Sequence, residues 1–330
     1  DGIVETIMGY RKAKVLMVAA QLDCFTRLER PATAAQAARA LRVDGRGAEI
    51  LLDALVAMRL LDKAGGVYRN TALSREFLVR GRPRFMGENL RYQELIWDAW
   101  SDLEGAVRRG RPGRPLGHWL RREKGFVRDY IRGMDNIARA PARQIAGLLD
   151  LRAARSLLDV GGGPGTYART LLRQNPRLKA AILDLPGTLR VAREFAAREP
   201  DLADRLVLRP GDYKKASFGT AAHDAVLMSH ITHDEGPDVN RLLFRKAFRA
   251  LRPGGTLVVH DFMVSDDRAS PLFGALFSVH MLAYTARGRT YTAREYKEWL
   301  REAGFGRLVQ RSVCRGAKNA SEMIAAFKPE

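Results

Sequence analysis

Residues 157–165, which decide the fold, read LLDVGGGPG, a short apolar run followed at once by a glycine-rich loop. The apolar run predicts a buried strand, and the periodicity after the loop predicts a helix from Tyr167 to Gln174. Such a loop brings the backbone close to a ligand at the N-terminus of the helix. Here Gly165 comes one residue earlier than in the dinucleotide-binding pattern, and Thr166 stands where that pattern needs Gly or Ala. The shorter loop favours a nucleoside carrying an amino-acid tail over a diphosphate.

Strands and helices alternate C-terminal to this loop. Apolar runs predict four further strands, and a helix over 238–250 stops at the Pro-Gly-Gly turn 253–255. This alternation predicts an α/β domain with a doubly wound, mostly parallel sheet. The four further strands are predicted at 180–184, 206–208, 224–228 and 256–261.

A polar or glycine-rich cluster follows each predicted strand. Ligands of a doubly wound sheet bind at the carboxyl edge of its strands, so we expect these clusters to converge. Asp184, at the end of the second strand, is placed to accept hydrogen bonds from both ribose hydroxyls. The remaining clusters are Gly211–Tyr213 after the third strand, Ser229–Asp234 after the fourth and Asp261 at the end of the fifth.

His233 is the candidate general base at this edge. A neutral imidazole accepts a proton from a hydroxyl near pH 7, and Asp261 is placed to hold its other nitrogen. His230 lies three residues earlier and is a candidate partner. The spacing of these residues and His260 matches no known type of metal site, so no metal is predicted.

The N-terminal part predicts a winged helix-turn-helix. Helices are expected over Ile7–Leu28, Ala34–Leu41 and Ala48–Leu61, followed by a hairpin with Gly65-Gly66 at its tip. Two functions fit this pattern, namely DNA binding and a scaffold for packing or dimerisation. Glu49 and Asp53 on the second helix of the motif would repel phosphate, which favours the scaffold.

An arginine-rich, Pro/Gly-rich stretch, 108–122, follows and predicts an exposed loop or linker. Helical patterning resumes from Phe126 to Leu151. The expected division is therefore a domain over 1–107, a linker and helical connector over 108–150, and a ligand-binding domain over 151–330.

The composition is that of a globular protein, with 330 residues, 46% of them hydrophobic and 28% charged. This excludes disordered and low-complexity classes. The 56 basic and 37 acidic side chains give a net charge of +19, which invites a nucleic-acid interpretation. The basic excess is spread over both halves of the chain, which weakens that interpretation.

The sequence predicts a cytoplasmic protein. No run approaches the ~20 apolar residues of a membrane span, and Asp1-Gly2-Ile3 lacks the basic start of a secretory signal. Cys24 and Cys314 are the two cysteines, too few for a disulfide framework.

These motifs resemble those of the S-adenosylmethionine-dependent O-methyltransferases of small hydroxylated molecules, the caffeic acid and acetylserotonin methyltransferase type. The resemblance covers nearly the whole chain and is most specific from Leu157 to Phe305. It implies a Rossmann-like methyltransferase domain preceded by an all-helical winged-helix dimerisation domain, and a homodimer. It also implies S-adenosylmethionine as methyl donor, S-adenosylhomocysteine as product and a small, aromatic, secondary-metabolite-like acceptor. The motifs that carry it are LDVGGGPG (158–165), DLP (184–186), GDY (211–213), HD (233–234) and LRPGG (251–255).

The resemblance also implies roles for single residues. His233 would be the catalytic base and Asp261 the carboxylate that orients it. The cofactor contacts would be Asp159, Gly161, Gly163, Asp184, Leu185, Asp212, Tyr213 and Ser229. The acceptor contacts would be Met134, His230, Met281 and Thr285, with ordinary core packing as the alternative for the two methionines.

The sequence departs from the family at four positions. Glu235 replaces the Trp that usually follows the His-Asp pair, and Ser229 replaces a Lys. Thr290 stands where a third catalytic carboxylate is expected, and His260, just before Asp261, is not expected in the family. Two alternatives therefore remain at this stage. One is altered chemistry on the same fold, namely C-methylation, decarboxylation or hydroxylation, and the other is a winged-helix DNA-binding regulator. The net charge adds the hypothesis of an anionic acceptor.

Overall fold

The computed structural model describes residues 2–122 and 124–330, which form two compact units. The first unit ends at Trp97 and the second comprises Asp98–Glu330. The first unit thus ends earlier in the chain than the domain expected over 1–107. Asp1 and the side chains of Arg121 and Arg122, which entered the sequence arguments, lie outside the described residues.

The first unit has the expected winged-helix order. Thr33 begins the third helix with a capping box to Gln36, and Gly65 and Gly66, both with positive φ, turn the hairpin. The hairpin and a short third strand form one sheet, so the unit is not purely helical. Its elements are α1 (Gly2–Gln21), α2 (Cys24–Arg27), β1 (Ala32–Thr33), α3 (Ala34–Leu41), α4 (Gly45–Ala57), β2 (Leu61–Ala64), β3 (Val67–Asn70), α5 (Ala72–Phe77) and α6 (Gly87–Leu95).

Two helix predictions in this unit were wrong at their ends. The first predicted helix is broken at Asp23, whose φ of 56° is left-handed and starts the separate helix α2. The predicted second helix of the motif ends at Ala57, because Arg59 takes a φ of 58° and Leu61 already belongs to β2. The periodicity of apolar residues marks the buried face of a segment. This apolar pattern continues through a turn between two packed elements, so it does not show where a helix ends.

The second unit contains the predicted doubly wound sheet. Its strands lie in the order β6-β5-β4-β7-β8-β10-β9, and β10 runs antiparallel to both of its neighbours. The five predicted strands are confirmed, whereas β9 and β10 were not predicted. The strands are β4 (Ser156–Val160), β5 (Lys179–Asp184), β6 (Leu206–Pro210), β7 (His223–Ser229), β8 (Leu251–Asp261), β9 (Leu308–Val313) and β10 (Ser321–Phe327).

Helices cover both faces of this sheet. Along β4, Leu157 packs into one buried cluster and Leu158 into another, as the two-residue period of a strand requires. The helices are α7 (Trp97–Ser101, across the unit boundary), α8 (Leu103–Arg109), α9 (Leu116–Arg122), α10 (Lys124–Leu148), α11 (Thr166–Gln174), α12 (Pro186–Ala196), α13 (Pro237–Ala250), α14 (Leu272–Tyr284) and α15 (Ala293–Glu302). Short 3₁₀ turns occupy Pro200–Arg205 and Thr232–Asp234.

The arginine-rich stretch is not one continuous loop. Helix α8 extends to Arg109, where an Arg108–Glu104 ion pair at i,i+4 supports its last turn, and α9 begins at Leu116. The expectation of a loop over 108–122 was therefore wrong except between the two helices. Among the described residues, no helix has the length and apolarity needed to cross a membrane.

Candidate active site

The glycine loop after β4 is fastened to the end of β5. The backbone N–H of Gly163 donates a 2.8 Å hydrogen bond to Oδ2 of Asp184, and that of Leu185 donates a 2.6 Å bond to Oδ1. Burial raises the pKa of Asp184, and these N–H groups only partly oppose the rise. The carboxylate is thus fixed beside the loop with lone pairs left for further donors. The backbone N–H of Leu185 is already used, so this group is not open to a cofactor.

Gly161 lets the loop pass directly over the segment that follows β7. Its φ is +64°, and a Cβ added there would lie 2.5 Å from Cγ2 of Ile231. A side chain is therefore excluded both by the backbone conformation and by space. This close approach connects the loop to the segment that carries His233.

Asp159 places a buried carboxyl group beneath the loop. It is fully buried, its oxygens have no side-chain hydrogen-bond partner, and a Cβ at Gly162 would lie 2.6 Å from it. Burial and the nearby charge of Asp184 raise the pKa of Asp159 to about 7, against a smaller opposing effect of the backbone N–H of Ala168. A buried acid with so few partners is unusual outside a ligand site.

The segment after β6 is joined to the segment after β7 by Glu235. Tyr213 donates its hydroxyl to Oε1 of Glu235 at 2.8 Å, and Nζ of Lys214 binds the same oxygen at 2.8 Å. Burial raises the pKa of Tyr213 well above its usual value, so this hydroxyl remains a donor. The Asp212 carboxylate accepts the backbone N–H of Lys214 at 2.9 Å. Glu235, which stands where the family usually has Trp, therefore has two polar partners, Tyr213 and Lys214.

Ser229 is placed differently from its predicted role as a cofactor contact. Its hydroxyl lies 2.9 Å from Nδ1 of His260, and Nε2 of that ring lies 2.7 Å from the hydroxyl of Ser321 on β10. Burial lowers the pKa of His260 well below its usual value, so the ring is neutral. The hydroxyl of Ser229 thus belongs to a buried network between β7, β8 and β10.

His233 and Asp261 form a buried hydrogen-bonded pair. Nδ1 of His233 lies 2.5 Å from Oδ1 of Asp261, and the backbone N–H of His233 donates to Oδ2 at 3.1 Å. The sequence expectation that the two side chains meet is thus matched by this geometry. Because the carboxylate accepts the proton on Nδ1, the lone pair of the neutral ring lies on Nε2.

The two charges support each other. Burial by itself would lower the pKa of His233 and raise that of Asp261. The charge and hydrogen bond of Asp261 nevertheless raise the pKa of His233 above its usual value. The charge and hydrogen bond of His233 hold the pKa of Asp261 well below its usual range. Asp261 is therefore the anionic partner of the pair.

Asp234 provides a second carboxylate near the base. Its Oδ1 lies 3.7 Å from Nε2 of His233. Burial raises its pKa to about 6, partly opposed by the charge of His233. Asp234 therefore changes charge near pH 6.

His230 completes the cluster in a strained conformation. Its φ is +55°, its ring centroid lies 4.4 Å from that of Phe262, and its Nδ1 lies 3.6 Å from Oδ1 of Asp261. Burial lowers the pKa of His230 against the pull of Asp261. The neutral ring thus lies against Phe262, beside the His233–Asp261 pair.

One group of potential metal ligands exists within the described ranges, 2–122 and 124–330. It comprises His230, His233 and Asp261, whose ligand atoms lie within 4.8 Å of one another. The 2.5 Å separation of Nδ1 and Oδ1 in the His233–Asp261 pair is that of a hydrogen bond and is shorter than two ligands of one ion allow. The described contacts are those of a base and its carboxylate.

An aromatic wall, which the sequence reasoning missed, faces His233. The ring of Phe277 lies edge-on to His233 with centroids 4.8 Å apart, and Phe262 and Phe273 pack against Phe277. Phe273, Phe277 and His280 repeat along one face of α14, a helical spacing that the sequence contains. The Trp100 indole donates to Nδ1 of His280 at 3.1 Å and extends the wall.

Of the residues predicted to contact an acceptor, Met281 lies on α14, Thr285 directly follows that helix and Met134 lies on α10. Met281 is buried on α14, next to His280, and the Thr285 hydroxyl donates to the backbone carbonyl of Met281 at 2.8 Å. Met134 is half-buried on α10. It adjoins Asp135, whose carboxylate accepts the hydroxyl of Thr166 at the start of α11.

Thr290 does not supply a carboxylate to this site. It is fully buried, and its hydroxyl bonds to that of Ser278 and to the carbonyl of Gly274, both on α14. The position therefore anchors α14 to the chain that follows it.

A buried charge network that sequence reasoning missed holds α10 to α11. Arg169 and Arg139 both bind the Asp135 carboxylate, and Arg169 also pairs with Glu199. Asp135 and Arg169 are buried, so each needs the other. Arg139 lies four residues after Asp135, but Arg169 and Glu199 come from distant segments, and no local signal marks their pairing.

Two family models together match most of the chain. Residues 100–306 match the O-methyltransferase domain, and residues 4–80 match the O-methyltransferase dimerisation domain.

Similar proteins align with this chain over nearly their full lengths. A 3-hydroxy-5-methyl-1-naphthoate 3-O-methyltransferase from Streptomyces sahachiroi is 33% identical over 99% of this chain and 94% of its own length. The acetylserotonin O-methyltransferase of Bos taurus is 30% identical over 90% of each chain. The crystal structure of human N-acetylserotonin methyltransferase in complex with SAM aligns with a TM-score of 0.89, 26% identity and coverage of 99% of this chain and 97% of that one.

Proposed function

This chain belongs to the S-adenosylmethionine-dependent O-methyltransferase family, and we propose that His233 is the general base that deprotonates a hydroxyl of a small aromatic acceptor. Membership of this family supports methyl transfer from S-adenosylmethionine, and it replaces the alternatives of a DNA-binding regulator, a decarboxylase and a hydroxylase. We propose the roles of the individual residues and the class of the acceptor.

The observation that carries the proposal is the buried His233–Asp261 pair at the carboxyl edge of the sheet. Asp261 fixes Nδ1 of the ring in its protonated form, which leaves Nε2 as the proton acceptor. A phenol of pKa near 10 is almost entirely protonated at pH 7, so a placed base is worth roughly 10²–10⁴ in rate. Asp261 also stabilises the imidazolium that results.

The residues of the glycine loop fit S-adenosylmethionine. Asp184 retains lone pairs for ribose hydroxyls, and the under-partnered Asp159 carboxyl lies beneath a loop that faces an amino-acid tail. A Cβ at Gly163 would meet no atom within 4 Å, so a ligand has room to approach the loop there, although the N–H of Gly163 is bonded to Asp184. Asp212 and Tyr213, with the backbone of Gly161, complete the proposed cofactor contacts.

When bound, S-adenosylmethionine supplies the electrophilic methyl group. The acceptor oxygen gains this methyl group as its proton passes to Nε2 of His233, and S-adenosylhomocysteine is the product. His233 afterwards returns the proton to water. The protein's own contribution is the placement of the two reactants and the proton transfer.

An aromatic acceptor is supported by the side chains around Nε2. Phe262 and Phe277 offer ring faces and edges, and a flat substrate would pack against them. We assign Met134, His230, Met281 and Thr285 to this pocket, and the connector 108–150 to its lining. Anionic acceptors form a subset that the basic composition favours.

A homodimer through the first unit is the proposed assembly. Residues 4–80 match the dimerisation domain, and α1 exposes Ile3, Val4 and Ile7. Light scattering of the purified protein should give twice the chain mass. We assign the protein to the cytoplasm, with Cys24 and Cys314 both free.

The decisive experiment is methyl transfer from labelled S-adenosylmethionine to a panel of phenols, catechols and hydroxylated aromatic acids. O-methyl products, identified by mass spectrometry and NMR, are expected. Exclusive C-methyl products would refute the O-acceptor assignment. A KM for the aromatic acids that does not change with salt would count against anionic acceptors.

A further inference from the structure

Two hydroxyl groups bind the carboxylate that holds the base. The hydroxyl of Thr232 donates to Oδ2 of Asp261 at 2.5 Å, and that of Tyr296 lies 2.7 Å from the Thr232 hydroxyl and 3.2 Å from Oδ2. All three side chains are fully buried. Thr232 precedes His233 in the chain, whereas Tyr296 comes from α15.

The two oxygens of Asp261 have different tasks. Oδ1 accepts Nδ1 of His233 and the backbone N–H of Phe262 at 2.8 Å. Oδ2 accepts the hydroxyls of Thr232 and Tyr296 and the backbone N–H of His233. Oδ1 thus binds the ring of the base, and Oδ2 binds the two hydroxyls.

We propose that Thr232 and Tyr296 are positioning residues that set how strongly Asp261 retains the proton of His233. This inference rests on the proposed role of His233 as base. Donors on Oδ2 draw negative charge away from Oδ1, so the imidazolium is stabilised less and releases its proton more readily. They also prevent the carboxylate from rotating about its bond to the β-carbon.

The chemistry of the two hydroxyls suits this role. Burial raises the pKa of Tyr296 well above its usual value, so the phenol stays protonated and remains a donor. Each hydroxyl has one proton, so while Thr232 donates to Oδ2 of Asp261, the proton of Tyr296 is directed either to the Thr232 oxygen at 2.7 Å or to Oδ2 at 3.2 Å. The pair therefore forms a short relay ending on Oδ2.

Other titratable groups also face the His233–Asp261 pair from the surrounding elements. None of them donates to Oδ2 among the residues that the structure describes. His230 approaches Oδ1, and Asp234 approaches Nε2 of His233. His260 on β8 and His280 on α14 are neutral, because burial lowers the pKa of each.

The test compares Thr232→Val, Tyr296→Phe and the double variant with the parent enzyme. Thr232→Ser keeps the hydroxyl and is the matched control. Tyr291→Phe is the second control, since it removes another fully buried phenol, one that binds the carbonyl of Glu235. The pKa of His233 is read from NMR of ring-labelled histidines, assigned with His233→Asn, alongside the pH dependence of kcat/KM.

We expect the pKa of His233 to rise by about 0.5–1 unit in each hydroxyl-free variant, with the acid limb of kcat/KM moving equally. Thr232→Ser and Tyr291→Phe should titrate as the parent does. Folded Thr232→Val and Tyr296→Phe proteins with an unmoved or lowered His233 pKa would overturn the inference. If the NMR pKa rises and the kinetic limb stays in place, the inference stands and His233 is not the base.

Discussion

Gly163 donates its backbone N–H to the side chain of Asp184 across 2.8 Å, so the glycine loop and the end of the neighbouring strand are held as one unit. The carboxylate that we assign to the ribose therefore also shapes the loop. Cofactor binding and loop geometry depend on the same side chain.

Asp184→Asn should weaken S-adenosylmethionine binding. A hydrogen bond to a charged group contributes about 1.5–3 kcal/mol, so Kd should rise roughly 10- to 150-fold. Calorimetric titration measures this, with Asp201→Asn at an exposed position as control. An unchanged Kd would show that Asp184 does not bind the cofactor.

His233→Asn should abolish turnover while preserving cofactor binding. Loss of a general base lowers kcat by about 10²–10⁴. Single-turnover transfer of labelled methyl groups gives the rate, and calorimetry gives Kd. His223→Asn, at a ring that bonds the Phe218 carbonyl away from this edge, is the control. Turnover equal to the parent's would remove His233 from the mechanism.

Activity should rise with pH through the pKa of His233, because the base must be neutral. That pKa lies above its usual value because the charge of Asp261 outweighs burial, so the acid limb should fall above pH 6.5. In Asp261→Asn, burial remains and the charge is lost, so the limb should move to lower pH while the maximal rate falls. Asp234, with a pKa of about 6, titrates nearby, and an Asp234→Asn profile separates the two groups.

Gly161→Ala should destabilise the protein more than Gly163→Ala does. Both glycines have positive φ, which costs an alanine about 1–2 kcal/mol. At Gly161 the new Cβ also meets Ile231 at 2.5 Å, whereas at Gly163 it meets nothing within 4 Å. The steric part should add about 1–3 kcal/mol in urea unfolding. Ile231→Ala, which itself removes a buried side chain, should cost less in the Gly161→Ala background than in the parent, and equal costs would argue against the contact.

Phe277→Ala should raise KM for aromatic acceptors without changing the Kd of S-adenosylmethionine. The ring stands edge-on to His233, and an aromatic contact contributes about 0.5–1.5 kcal/mol beyond the area it buries. We expect about a tenfold increase in KM. Leu276→Ala, at the exposed neighbouring residue of the same helix, is the matched control. Equal effects of the two substitutions would place Phe277 outside the pocket.

The parallel strands and their polar ends were predictable because two signals in the sequence coincide. Each strand is an apolar run, and a polar cluster follows it directly. Asp184, His233 and Asp261 each follow an apolar run, and parallel topology alone brings such ends together. Strands β9 and β10 lack this signal, because the antiparallel edge of the sheet has no ligand cluster after its strands.

The supporting contacts were not predictable, because they join residues that are distant in the chain. Tyr296 lies on α15 and meets Asp261 only in the folded sheet, and Asp135 finds Arg169 in the same way. Tyr, Asp and Arg occur throughout the sequence, so composition does not mark them. The Phe277 face of α14 was different, since its helical spacing is visible in the sequence.

Strand β10 is inserted between β8, which ends at Asp261, and β9, so β9 reaches the sheet only through β10. A ribosome delivers this strand after all the others of the sheet. Until residue 321 has emerged, β8 is an open edge with unpaired backbone groups next to an apolar core. The pairing of β10 with β8, the strand that ends at Asp261, is thus the last step in the assembly of this sheet during chain synthesis. We expect nascent chains stalled before this point to be prone to edge-to-edge association.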